Sequence, residues 1–318
     1  MYNVFIDGQV GTTGLKIVDR LKDRQDVSLM EIPYDKRKDL EEKKKYLNSA
    51  DLVILCLPDK AAKESVAMIS NKKVKVLDAS TAHRVDPEWT YGLPELSKDQ
   101  REKIQTAKFV SVPGCYPTGF ILETAPLIKS GIIPTDCPVT VNAVSGYSGG
   151  GRQMIEKYQE KEKEFPGQEL WSYRPYGMQL AHKHVPEMKL YSGLRHEPLF
   201  IPAVGHFHQG MLVSVPLFAS LLRKGTTAKN VHEVLSLYYE MEPFINVHPL
   251  NDMDRLRDGF LSPLECNNTN RLDLLVFGND KQIYLTARLD NLGKGASGAA
   301  VQNMNIMLGE KEDKGLKS

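Results

Sequence analysis

The sequence predicts an α/β protein in two parts, a doubly wound parallel sheet followed by an α+β domain with a mixed sheet. Three observations lead there. A strand-like run enters a glycine loop and an amphipathic helix within the first 21 residues. Apolar runs and helical patterns then alternate over about the first hundred residues, as parallel strands and their crossovers do. From Pro138 onward the strands alternate in polarity, which fits a mixed or antiparallel sheet.

The 318 residues are 41% hydrophobic and 25% charged, the balance of a globular protein with room for two domains. A formal net charge of +1 marks neither a nucleic-acid binder nor a membrane-surface protein. The longest apolar run, residues 52–57, is far shorter than the about 20 residues that span a bilayer. The first residues lack the basic start and apolar stretch of a signal peptide. Cys56, Cys115, Cys137 and Cys266 are scattered, with no C-x-x-C pair and no disulfide framework, so the cytoplasm is the expected compartment.

Taking the elements in order, residues 3–6 read as a strand and 15–21 as a helix, joined by Gly8-Gln-Val-Gly11-Thr-Thr-Gly14. That is the strand, glycine loop and helix of a Rossmann-like fold, where backbone amides approach a pyrophosphate at the helix N-terminus. The spacing is G-x-x-G-x-x-G and departs from G-x-G-x-x-G. Residues 27–32 read as the second strand. After it Lys36 and Arg37 stand where an NAD enzyme often has a ribose-binding acid, which suits a 2′-phosphate and hence NADP, although Glu31 lies nearby and Asp35 interrupts the basic pattern. Residues 51–57 and 74–79 are buried parallel strands by their continuous apolar character. Ser80, Arg84 and Cys115 each follow a strand and so share the end of the sheet where ligands bind; Arg84 offers a planar fork to an anion.

Residues 107–112 form a short strand and 118–129 a helix, with Pro117 at its first position. Cys115 then sits just ahead of a helix N-terminus, where unpaired amides favour a thiolate nucleophile; the bland alternative is a buried thiol filling a turn. Residues 138–145 are a strand, Gly149, Gly150 and Gly151 a mobile connection, and 156–164 a solvated charged helix. His182 and His184, and likewise His206 and His208, face one way if they lie on strands, which allows zinc, but neither pair has a third ligand at recognisable spacing. An acid/base or orienting role for His182 or His184 is the better reading, and His206 and His208 read as structural. Strands are expected at 212–217, 272–277 and 282–289 and helices at 226–241 and 299–308, with a frayed charged tail from Gly309.

Five motifs, Gly8-x-x-Gly-Thr-Thr-Gly14, Asp78-x-Ser-Thr-Ala-His-Arg84, Pro113-Gly-Cys-Tyr-Pro-Thr-Gly119, His182-x-His-Val-Pro-Glu187 and Asp290-Asn-Leu-Gly-Lys-Gly-Ala-Ser-Gly-Ala-Ala-Val-Gln302, occur in order along the chain. Together they resemble the N-acetyl-γ-glutamyl-phosphate reductase family in its shorter, type 2 variant, with the aspartate-semialdehyde dehydrogenases as more distant relatives. The resemblance implies NADPH-dependent reduction of N-acetylglutamyl 5-phosphate to the 5-semialdehyde, in arginine biosynthesis, by an enzyme that forms a homo-oligomer. It makes Cys115 the nucleophile. One of His182 and His184 becomes the acid/base and the other places substrate, in either order. It puts Arg84, Tyr176 and Glu187 on the substrate side or in support of it, and lines the cofactor with Gly11, Thr12, Thr13, Gly14, Ser80 and Asn291; Gly8 of the same loop and the Arg37 read above complete the expected cofactor set, and no metal is expected. It divides the chain into an NADP-binding domain (1–114), a catalytic and oligomerisation domain (115–290) and a C-terminal helix returning to the first domain (291–318). A zinc hydrolase built on the histidine pairs and an NADP-binding redox sensor with Cys115 as its switch are the competing readings.

Overall fold

The computed structural model describes residues 1–37, 39–167 and 171–318. The chain divides into two compact units, one of residues 1–113 and 296–316, the other of residues 114–295 and 317–318.

In the first unit the order is β1 (Tyr2–Asp7), α1 (Thr12–Leu21), β2 (Val27–Met30), α2 (Leu40–Ser49), β3 (Leu52–Leu55), α3 (Asp59–Ala67), β4 (Lys75–Asp78), β5 (Thr90–Tyr91), α4 (Gln100–Thr106) and β6 (Phe109–Ser111). The six strands pair in parallel in the order β2-β1-β3-β4-β6-β5. Alternate side chains feed two cores, as the period of two requires. Val4, Ile6, Leu52 and Ile54 meet Ile17 and Leu21 of α1 and Ile104 of α4. On the opposite face, Phe5, Val53 and Leu55 meet Leu47 of α2 and Ala62 of α3. Helices on both faces explain why β3 is apolar throughout. The strand order reverses between β1 and β3, and that switch point is where a doubly wound sheet opens a crevice.

The second unit runs α5 (Cys115–Lys129), β7 (Thr140–Gly146), α6 (Gly151–Glu164), β8 (Tyr173–Pro175), α7 (Val185–Ser192), β9 (Leu199–Gly205), β10 (Met211–Phe218), α8 (Ala228–Tyr239), β11 (Ile245–Val247), β12 (Leu256–Arg257), β13 (Phe260–Leu261), β14 (Leu272–Gly278) and β15 (Gln282–Leu289). Seven of these strands form a mixed sheet in the order β11-β14-β15-β10-β7-β9-β8. Helix α5 lies on β10 and β15 at Gly119, where a Cβ would come within 2.8 Å of Val213 and 3.2 Å of Ala287. Tyr239 of α8 donates its hydroxyl to the Leu122 carbonyl at 2.8 Å and locks the two helices together.

The last helix, α9 (Gly298–Met307), belongs to the first unit, where Ala299, Ala300, Val301 and Met304 complete the core of Ile17 and Leu21. The tail beyond it is fixed rather than frayed. Arg101 grips the Glu312 carboxylate at 2.7 and 3.1 Å, Asn305 donates to the Glu312 and Lys314 carbonyls, and Leu316 packs on the core. Two of its charges pair with this unit instead of with water: Glu312 with Arg101 and Lys314 with Asp26. Helix α5 also starts at Cys115, three residues earlier than the pattern indicated, so Pro117 falls within its first turn, where a missing N–H still costs nothing.

Candidate active site

In the first unit the glycine loop crosses the switch point. Gly8 has φ +89° and a Cβ there would collide with the Cys56 carbonyl beyond β3; only glycine lets the loop pass. Gly14 is as constrained, since its Cβ would stand 2.5 Å from the Gly8 carbonyl oxygen. Gly11 is the N-cap of α1, with no side-chain cap and no acid in the first turn, so Thr12, Thr13 and Gly14 present a helix start open to an anion. Beyond β2, the Arg37 guanidinium stacks on the exposed Tyr34 ring at 5.1 Å.

Asp78, at the end of β4 and fully buried, organises the next turn. Its carboxylate accepts from the Ser80 amide at 2.9 Å and hydroxyl at 2.7 Å, and lies 2.7 Å from His83 Nδ1, whose ring stacks on Trp89. Arg84 is buried too: Nε donates to the Val112 carbonyl at 2.9 Å and Nη2 to that of Ala79 at 3.1 Å. These bonds hold the end of β6, three residues before the cysteine.

In the second unit Cys115 is the first residue of α5, and its N-cap Gly114 is extended with no side-chain cap. A thiol among unpaired helix amides is favoured as thiolate. Helix α7 packs beside α5 with His184 as its N-cap. From its first turn the buried Glu187 accepts the Gly114 N–H at 3.2 Å, so the starts of the two helices are tied together. Neither H-x-H pair lies on a strand: His182 and His184 lead into α7, and His206 and His208 occupy the β9–β10 turn.

Tyr116 brings the aromatic groups together. Its ring lies 6.1 Å from that of His182 and 5.9 Å from that of His184, and its hydroxyl is 3.4 Å from the Tyr176 hydroxyl. Tyr176 in turn is 3.5 Å from His182 Nε2. His182 Nδ1 accepts the His184 amide at 3.2 Å, so a neutral His182 ring carries its proton on Nε2. Burial, helped by Lys183, pulls His182 down from 6.5 to about 4. Burial, opposed by the Tyr116 hydrogen bond and reinforced by Cys115, pushes Tyr176 up to about 12, and Tyr116 is raised for similar reasons. Tyr116, Tyr176 and His182 are therefore neutral at neutral pH. Asn291, by contrast, is buried with its amide committed to the Gly210 N–H at 2.8 Å and the Ser148 hydroxyl at 3.0 Å.

Sequence reasoning missed Tyr116, the Glu187 bond to Gly114 and the Asp78–His83 pair. Tyr116 carried a signal, adjacency to the cysteine; the others depend on side chains that meet only in the fold.

The parallel nucleotide-binding sheet, the thiol at a helix start and the mixed sheet define an aldehyde-forming dehydrogenase, and two descriptions of that class match. Residues 3–107 match "Semialdehyde dehydrogenase, NAD binding domain" and residues 115–291 match "Semialdehyde dehydrogenase, dimerisation domain". The chain belongs to the semialdehyde dehydrogenase family. Within it, the chain is 53% identical over 317 residues to N-acetyl-gamma-glutamyl-phosphate reductase 2 of Nostoc sp., and 52% identical over 317 residues to N-acetyl-gamma-glutamyl-phosphate reductase of Trichormus variabilis, each alignment covering 98% of both chains. Aspartate semialdehyde dehydrogenase II of Vibrio cholerae shares the fold, with a TM-score of 0.72 at 15% identity over 97% of this chain and 98% of that one.

Proposed function

We propose that this protein reduces N-acetyl-L-glutamyl 5-phosphate to N-acetyl-L-glutamate 5-semialdehyde with NADPH, through a thioester on Cys115, as a step of arginine biosynthesis in the cytoplasm. The observation that carries the chemistry is Cys115 as the first residue of α5, followed by Tyr116, against whose ring His182 and His184 pack. The substrate follows from 53% identity to a reductase of that name over nearly the whole chain.

The first unit fits the cofactor, since Gly8 and Gly14 let the loop pass Cys56 and close tightly on itself, and α1 lacks a side-chain cap of its own. Gly8, Gly11, Thr12, Thr13 and Gly14 would hold its pyrophosphate and Arg37 its 2′-phosphate. Ser80 and Asn291, whose side chains are already bonded, would support this group through the turns they hold. Bound NADPH supplies the hydride.

The Cys115 thiolate attacks the acyl phosphate carbonyl, the C–O bond to phosphate breaks, and phosphate leaves with the electron pair. After reduction of the thioester, a proton reaches the oxygen to give a thiohemiacetal, and the C–S bond breaks to release aldehyde and thiolate. His182, with its proton on Nε2, suits a hydrogen bond to the substrate oxygen; one histidine of the pair would lend a proton to that oxygen as the thiohemiacetal forms and take it back as the C–S bond breaks, so that it ends as it began. Tyr176 stands on the substrate side, while Glu187 and Arg84 support the cysteine by fixing Gly114 and Val112.

Oligomerisation fits the open face of the second sheet. Pro216 and Phe218 of β10 are exposed there, with Tyr284 of β15 opposite Pro216, and a groove of about 260 Å³ runs beside them. Contact with a second copy of the chain would cover this face. Among the described residues no helix is long and apolar enough to cross a membrane.

Phosphate-dependent reduction of NADP with N-acetylglutamate semialdehyde tests the reading in the reverse direction. Turnover that needs phosphate is expected. Its absence would overturn the reading, and an equal rate with aspartate semialdehyde would overturn the substrate.

A further inference from the structure

Asp290 follows β15 directly and is 1% exposed. Its carboxylate is filled from within the second unit. Oδ2 accepts the Asn268 amide at 2.7 Å and the Gln209 side-chain amide at 3.2 Å, while Oδ1 accepts the Leu292 amide at 2.9 Å. Its main-chain carbonyl accepts the amides of Gly293 at 3.1 Å and Gly295 at 2.9 Å. The main chain is thus wound back around one side chain.

The winding is tight enough to exclude side chains. At Gly293 a Cβ would collide with the Thr269 carbonyl and lie 3.1 Å from Asp290 Oδ2. At Gly295 it would stand 2.8 Å from Cys115 Cβ and 3.3 Å from Cys115 Cα. The backbone at Gly295 is therefore a wall against the nucleophile itself, and Asp290 sets where that wall stands. Asn291 reinforces the base by clamping Gly210 and Ser148.

We propose that Asp290 is a positioning residue for Cys115: it winds residues 291–295 into a turn whose Gly295 fixes the Cβ of the nucleophile and so aims its sulfur. The proposal rests on Cys115 being the nucleophile. Glu187 and Gly114 hold the cysteine from the helix side, and Asp290 and Gly295 hold it from the other. A displacement of about 1 Å at a reacting atom is enough to cost about 100-fold in rate.

The test compares Gly295→Ala and Asp290→Asn with wild type in kcat, KM, NADPH affinity by fluorescence, and the pH dependence of Cys115 alkylation by iodoacetamide, located by mass spectrometry. Gly295→Ala pushes on Cys115 directly and is expected to lower kcat about 100-fold, to alter the alkylation profile and to leave NADPH affinity unchanged. Asp290→Asn keeps the volume but turns a donor toward one of the amides now accepted, and is expected to lower kcat about 10-fold with the same change in alkylation. Wild-type kcat in either variant overturns the proposal. So does a loss of kcat with an unaltered alkylation profile and a lowered Tm, which is what a merely structural residue would produce. Turnover that survives Cys115→Ser would defeat the thioester reading instead.

Discussion

Two helix starts in this chain are built alike and serve differently. Helix α1 begins after Gly11 (φ −76°, ψ 163°) and α5 after Gly114 (φ −70°, ψ 153°); neither N-cap has a side-chain bond and neither first turn contains an acid. Both therefore leave helix amides without a cap from their own N-cap side chain. At α1, Gly11, Thr12 and Thr13 remain half-buried on the crevice side. At α5, Gly114 is buried and its own amide is taken by Glu187 from the neighbouring helix. An open start suits an anion that arrives from solution, and a closed one suits an anion the chain carries itself, the thiolate of Cys115.

The largest effect should come from removing the internal anion. Cys115→Ser is expected to lower kcat by at least ~10⁴-fold while NADPH affinity, measured by fluorescence titration, stays as in wild type. Weakened cofactor binding in that variant would mean that the two starts are not separate in function. The converse change is Gly8→Ala, which places a Cβ at φ +89° against the Cys56 carbonyl. It should weaken NADPH binding by about 10- to 100-fold, with no change in the rate of Cys115 alkylation by iodoacetamide. The smallest effect is expected at the edge of the open start. Arg37→Ala should reduce the preference for NADPH over NADH by about 10-fold, more at low salt than at high salt. An unchanged ratio of the two dissociation constants would remove Arg37 from the 2′-phosphate site.

Much of this was legible without coordinates where physics is local. The run Leu52–Leu55 reads as a strand buried on both faces because helices do cover both, and the glycines at 8, 11 and 14 report backbone approaches that a side chain would block. Cys115 was visible because a helix pattern follows it. Legibility failed where partners are distant in sequence. His182 and His184 look like a strand pair, yet they enter α7, whose eight residues are too few for a clear helical period. Arg84 bonds the Val112 and Ala79 carbonyls, which come near only once β4 and β6 lie side by side, and no local pattern announces those partners. Asp290 carried no sign of its bonds to Asn268 and Gln209, and the charged tail gave no sign that Arg101 and Asn305 would hold it.

The place of α9 also has a consequence for how the chain is made. Ile17, Leu21, Leu52 and Ile104 face Ala300, Val301 and Met304, residues that leave the ribosome well after β6. The strands of the first unit are complete by Ser111, but the part of one face that α9 covers waits for roughly 190 more residues, on the order of ten seconds or more of synthesis. Throughout that interval the nascent protein carries an uncovered apolar surface. The sheet that emerges early therefore closes only when α9 arrives, and the Arg101–Glu312 contact forms after that helix is made.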